Sequence, residues 1–345
     1  MKTGRTLNEI AQELTSQRAD RRDFVTPTGK LNFDANLNTI EIGDKGRFEV
    51  SPHTHGQISS WAKIPKAYYD RMRSASPDLL ERNVKHWLDT SKDKRMVRTL
   101  GGNARAFLSD KYRAFDNYEV AEHALEALQA ADCRIESVEV TDRRFYLKAV
   151  SERITGDVGV GDIVQSGIVI SNSEIGAGSL RVEPLVFKLS CLNGMITADS
   201  SFRRNHVGSA LMKGDRDGAI EFFTDETKKK SDEVIFLQVR DIVQGMMTDT
   251  GFAKVVAKFK AAKEIPLTGD AFETVEELGK KWAMSETESR GILSSLIMDE
   301  AEGNNLFGLV NAVTDYSKKV EDYDRATEFE RLGGKILEAE FSMIG

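Results

Sequence analysis

RRFYLKAV (Arg143–Val150), DIVQSGIVIS (Asp162–Ser171) and SLRVEPLVFKL (Ser179–Leu189) are the stretches that decide the fold. Each is short, rich in β-branched and aromatic residues, and bounded by Gly, Asn or Ser, the signature of strands rather than helices. In the first, period two places Arg144, Tyr146 and Lys148 on one face and Arg143, Phe145 and Leu147 on the other. The polar face is open to two readings, a solvated outer surface or a platform for a ligand. Pro184 demotes the middle of the last stretch to an edge or a bulge.

Upstream, Arg134–Val140 reads as a further strand, and Arg95–Leu100 with Asn103–Leu108 as a hairpin around Gly101-Gly102. Asn117 is placed to cap a helix over Tyr118–Ala130. Earlier still come a helical block from Ile58 to Leu88, three short strands between Gly29 and Val50, and a helix from Thr6 to Gln17 with a Thr6/Glu9 capping box. Downstream of Leu211 the pattern is helical to the end. Pro266 and Gly269 mark Lys263–Asp270 as a linker. The expectation is α+β: a central, mostly antiparallel sheet with packed helices in a body of residues 1–262, followed by an acidic helical domain of 271–345.

Composition bounds the function. The chain has 345 residues, 40% hydrophobic and 30% charged, a globular balance that argues against global disorder. No apolar run approaches bilayer-spanning length, and Met1-Lys2-Thr3-Gly4-Arg5 leads into a polar segment, so no membrane association and a cytoplasmic location are expected. The net charge of −7 is unevenly spread: residues 60–263 carry 32 Lys/Arg against 29 Asp/Glu, and residues 264–345 carry 8 against 18. Such segregation marks either a region that meets an anionic partner or acidic helices that keep the protein in solution.

Common chemistries fail one by one. His53 and His55 have no third ligand placed by sequence and read as a loop beside Gly56, so no metal is expected. Gly156–Gly161 lacks the Gly-Lys-Ser/Thr of a phosphate loop and reads as a glycine-rich turn. No Gly-x-Ser-x-Gly occurs, and Cys191, after an apolar strand, reads as a buried small hydrophobe. No catalytic residue and no cofactor is expected.

Three polar clusters remain: Arg98 and Arg105 with Lys111, Tyr112 and Arg113; Arg144, Tyr146 and Lys148; and Arg203, Arg204 and His206. Guanidinium groups alternating with rings suit a single strand, since the cations hold phosphates while the rings stack on bases. In the turn Ser173–Gly178, Asn172 and Ser173 can bond the chain locally, and Glu174 can pair with a buried Arg. Asn193-Gly194 signals a tight turn.

RAFLSDKYRAFDN (Arg105–Asn117), GIVISNSEIGAGSLRVEPLVFKLSCLNGMI (Gly167–Ile196) and RRNHVG (Arg203–Gly208), preceded by ISSWAKIPKAYYDRM (Ile58–Met72), resemble in order the DUF932 family of phage- and plasmid-encoded proteins. The resemblance covers about residues 55–245. It singles out Arg105, Ser109, Tyr112, Arg113 and Asn117, then Asn172, Ser173, Glu174, Gly176, Cys191, Asn193 and Gly194, then His206, and it assigns no catalysis. The expectation that follows is a non-enzymatic protein that binds single-stranded DNA, an annealing or recombination accessory, for which homo-oligomeric assembly would be suitable. The alternative is a protein-interaction module whose acidic C-terminal helices dock on a host or phage protein.

Overall fold

The computed structural model describes residues 1–159, 162–197, 201–204, 225–267, 270–298 and 304–344. Two sheets, rather than one, organise the chain. The first joins β1 (Arg22–Pro27), β2 (Leu31–Asp34), β3 (Thr39–Ile42), β4 (Arg47–Val50), β5 (Lys94–Leu100) and β6 (Asn103–Ser109), in the order β1-β5-β6-β4-β3-β2. Only the β4–β6 pairing is parallel among those described. The β5–β6 hairpin turns at Gly101 and Gly102, both at positive φ (56° and 82°), where a side chain would be strained.

Three helices pack on this sheet: α2 (Pro52–Trp61), α3 (Lys66–Ala75) and α4 (Pro77–Thr90). On α4 the buried Leu80, Val84 and Leu88 recur every four residues and meet Phe33, Ile40, Val97 and Phe107 of the sheet. The two histidines expected in a loop lie instead on α2, whose first turn is set by Pro52 and the Ser51 cap. His55 is buried there, 2.9 Å from the Tyr69 hydroxyl and 2.6 Å from Asn38 Oδ1.

The second sheet contains β7 (Cys133–Val140), β8 (Phe145–Asp157), β9 (Ile163–Asn172), β10 (Leu180–Lys188) and β11 (Asn193–Ile196), in the order β11-β10-β9-β8-β7, with β12 (Phe202–Arg204) also on β10. All its pairings are antiparallel. β12 covers Leu180–Val182 and β11 covers Leu185–Lys188, so Pro184 falls between them. Its carbonyl accepts the Thr197 N–H on that outer edge at 3.0 Å, and its missing N–H therefore costs the β9 ladder nothing.

Helices cover both faces of this sheet, which is why β9 is buried along nearly its whole length. On one face α1 (Leu7–Asp20), α5 (Asn117–Ala130) and α6 (Asp225–Met246) enclose Phe145, Leu147, Ile168, Ile170 and Val182. The Thr6/Glu9 capping box opens α1 as expected. The cap of α5 is Asp116 rather than Asn117, which is the first helical residue.

On the other face lie α10 (Leu306–Tyr316) and α11 (Tyr323–Ile344), joined to α7 (Asp249–Lys263), α8 (Ala271–Lys281) and α9 (Glu286–Met298) through a core of Val164, Val186, Phe259, Phe307, Val310 and Phe329. Gly333 and Gly334 sit in the middle of α11, where glycine ordinarily weakens a helix by about 1 kcal/mol. Close approach explains them. A Cβ on Gly334 would run into the Ile196 carbonyl of β11, and one on Gly333 into Thr314 Cγ2 of α10. No helix among the described residues is long and apolar enough to cross a membrane.

Candidate anion-binding cleft

The Arg144/Tyr146/Lys148 face is not open, because α11 lies on it. Lys148 Nζ is fully buried, 2.6 Å from Glu330 Oε2 and 3.3 Å from Thr327 Oγ1, with the Tyr323 ring 4.6 Å away. Tyr146 donates its hydroxyl to Asp324 Oδ1 at 2.7 Å and is also buried. Since β8 runs between β7 and β9 in a sheet covered on both sides, its polar face had to find polar helical partners.

The first cluster is likewise turned inward. Arg98 is buried and donates to Asp23 (2.8 Å), Asp116 (2.7 Å) and the Glu174 carbonyl (2.8 Å). Arg105 lies 3.6 Å from the Glu174 carboxylate, the pairing with a buried Arg that the turn anticipated. Arg113 holds Asp232 of α6 through two bonds of 2.6 Å. Tyr112 donates to the Ser173 carbonyl at 3.2 Å. Lys111 is exposed in the turn after β6, its N–H bonded to Ser109 Oγ at 3.2 Å.

The motif residues therefore form a junction between the two sheets. Glu174 Oε1 accepts the Asn117 N–H at 2.6 Å, in place of a side-chain cap on α5. Asn172 Nδ2 donates to Phe115 O (2.7 Å) and Asn117 Oδ1 (2.8 Å), and Ser173 Oγ to Arg143 O (2.8 Å). Gly176, at φ 77°, has Leu108 where a Cβ would stand. The Cys191 side chain is half-buried rather than fully buried, and its carbonyl accepts Lys318 Nζ at 2.9 Å. Asn193 and Gly194 begin β11 rather than a turn, and the positive φ falls on Leu192. His206 lies outside the described residues.

Where cations do gather is a concave site of about 290 Å³ at the end of the second sheet. Its walls are the β9–β10 corner (Ser171, Gly178, Ser179, Arg181), Arg144 at the start of β8, Trp282 after α8, and α11. Five lining residues are cationic (Arg144, Arg181, Arg325, Arg331 and Lys335) and one, Glu328, is acidic. Spacings of three and four residues put Arg325, Glu328, Arg331 and Lys335 on one side of α11.

Each guanidinium is held in place. Arg331 is clamped by Glu183 (Nε–Oε1 3.0 Å, Nη2–Oε2 2.6 Å) and reaches Ser171 Oγ at 3.4 Å. Arg325 is similarly held by Glu288 at 2.8 Å. Arg144 donates to Ala177 O at 2.7 Å and lies across Gly178, where a Cβ would come within 3.1 Å of its Nε. Ser179 Oγ accepts from both Arg181 Nε (3.3 Å) and Arg203 Nε of β12 (3.0 Å). Arg204, on the same strand, is not among the lining residues. Burial first, and then crowding by Arg331, Arg203 and Arg144 against the opposing pull of Glu183, hold the Arg181 pKa below its ordinary value. Lys335 is exposed with its ammonium 5.2 Å over the Trp282 ring and has no carboxylate partner among the described residues.

Arg181 and Arg203 thus share Ser179, Arg181 and Arg331 share Glu183, and Arg144 lies alongside, an arrangement of fixed guanidinium groups whose chemistry suits an anion. Arg144 and Arg203 came from the sequence clusters. Arg181, Arg325, Arg331, Lys335 and Trp282 did not; for the three on α11, the placement of Arg325, Arg331 and Lys335 on one side of a helix is the signal that could have found them. No cluster of three or more metal-ligating side chains occurs among the described residues.

A family model described as a domain of unknown function (DUF932) matches residues 106–333, which takes in the cleft walls from Arg144 to Leu332. No curated protein and no solved structure matches the chain.

Proposed function

The chain belongs to the DUF932 family, and because that membership assigns no role we propose one from the cleft: a non-enzymatic protein that binds single-stranded nucleic acid. The gathering of Arg144, Arg203 and Arg331 about Arg181, with Ser179 held by Arg181 and Arg203, carries this reading. Guanidinium forks match phosphate oxygens in pairs, and the fixed rotamers mean that little ordering remains to be done on binding. Trp282, half-buried at the mouth, offers a ring on which a base can stack.

The test is a fluorescence-anisotropy titration with labelled oligothymidylate at about 50 and about 200 mM salt. Binding at low salt that weakens steeply at high salt is expected, and Arg181→Ala should reduce it without regard to base sequence. Absence of binding at low salt, or affinity indifferent to salt, would remove the reading.

A second reading, a docking site for a protein partner, is favoured by the groove between α8 and α9. Phe272 is 60% exposed there beside Met284 and Leu293. If that reading holds, Phe272→Ala should abolish partner capture and leave nucleic-acid affinity unchanged.

A further inference from the structure

A second and larger cleft, about 650 Å³, lies where the two sheets meet. Glu13 and Gln17 of α1, Ser51 and His53 at the start of α2, Arg105 of β6, and Asp142 and Arg143 of the β7–β8 turn all line it. Its two arginines are poorly satisfied. Arg105 is mostly buried, yet among the described residues its guanidinium donates no hydrogen bond and has only the Glu174 carboxylate at 3.6 Å. Its N–H donors are therefore left available to an anion that enters the cleft. Arg143 is exposed, and its side chain has no ion pair or hydrogen bond among the described residues.

Neither carboxylate of the lining is ion-paired to Arg105 or Arg143 among the described residues. Glu13 is taken up by Arg5 (2.5 Å) and Gln17 (2.6 Å), which leaves Asp142 at the surface. The N-terminus of α2 opens on the same space, adding the positive end of a helix dipole.

The two clefts adjoin. Arg143 and Arg144 are consecutive residues of the β7–β8 turn, and Arg143 lines the second cleft while Arg144 lines the first. Ile175 of the intervening turn lines the second cleft and Gly178 of that turn lines the first. Burial, and then the charges of Arg143, Arg105 and Arg144, lower the His53 pKa against its bond to Ile175 O, so a cation of the first cleft is felt inside the second.

We propose that the second cleft continues the first, and that one single-stranded polyanion passes from Arg203 and Arg181 over the rim at Arg144 to Arg143 and Arg105. This rests on the reading of the first cleft given above. The path selects against duplex. A double helix, stiff over about 150 base pairs, cannot fold around the end of one sheet, whereas a single strand turns within a few nucleotides.

The experiment uses the full chain with oligothymidylates of about 4 and about 16 nucleotides, the range of single-strand site sizes, and a duplex of the longer length. The long single strand should bind more tightly and with a steeper salt dependence than the short one or the duplex. Arg143→Glu should lower long-strand affinity about tenfold and reduce the log–log salt slope by about 0.7, the value of one phosphate contact. Should Arg143→Glu match wild type on the long strand while Arg181→Glu weakens it, the path is wrong and the first cleft stands. Equal affinity for duplex also overturns the path. No binding of either single strand removes both proposals.

Discussion

Replacing Lys148 with Met tests how α11 is held. Lys148 and Glu330 are both fully buried at 2.6 Å, so deleting the ammonium strands a carboxylate in the interior. One-sided loss of a buried pair costs about 3–5 kcal/mol. Glu330 Oε1 keeps the Lys2 N–H at 3.0 Å, which places Lys148→Met near the low end of that range. The reverse change, Glu330→Leu, should cost less. Burial already depresses the Lys148 pKa against the pull of Glu330, and an amine, unlike a stranded carboxylate, retains the Thr327 hydroxyl at 3.3 Å as a partner. The double variant should recover much of the loss, since two apolar groups of matching volume need no counter-charge, though the Lys2 N–H loses its acceptor. Urea titration followed by circular dichroism at pH 7 gives the three values, read as shifts in midpoint at unchanged slope. A Lys148→Met loss below about 1 kcal/mol, or a double variant as weak as the sum of its singles, would refute the reasoning.

Three further outcomes are expected. Gly334→Ala should destabilise by about 1–3 kcal/mol despite the better helix propensity of Ala, because its Cβ meets the Ile196 carbonyl; a rise in melting temperature would contradict the packing. Burial first, then the charges of Arg73 and Lys66, bring the His55 pKa to about 4 from 6.5. The unfolded chain therefore takes up a proton between pH 6.5 and 4 that the folded one refuses, and stability should fall as pH drops through that window by up to roughly 3 kcal/mol. His55→Gln should flatten that part of the pH–melting curve, and an unchanged curve would sink the assignment. Trp282→Ala should weaken oligothymidylate binding by about 1–3 kcal/mol with an unaltered salt slope, as a stacking contact would, and a changed slope would point to lost charge contacts instead.

Local signals in the sequence were good guides to elements and poor guides to faces. The Gly101-Gly102 turn, the Thr6/Glu9 box and the long strands β9 and β10 are legible because each depends on neighbours within a few residues. The polar face of β8 is different. Arg144, Tyr146 and Lys148 alternate as an outer face would, and only the arrival of Asp324, Thr327 and Glu330, some 180 residues later, turns that face into an interior. Nothing local announces such a pairing. The count of 8 Lys/Arg against 18 Asp/Glu after residue 263 likewise hid the cationic side of α11, because an average over a segment is blind to which side of a helix each charge occupies. The Gly333-Gly334 pair, an expensive choice inside a 22-residue helix, was the one clue to close packing there.

The walls of the cationic cleft come from distant parts of the gene product: Arg144 to Arg203 form one side, and Trp282 to Lys335 the other. During synthesis the first side emerges long before the second. A nascent chain that has reached α10 thus displays arginines with no opposing wall, and Arg331 cannot yet share Glu183. The cleft proposed to take an anion is therefore completed only after α11 has been made and has closed over the sheet.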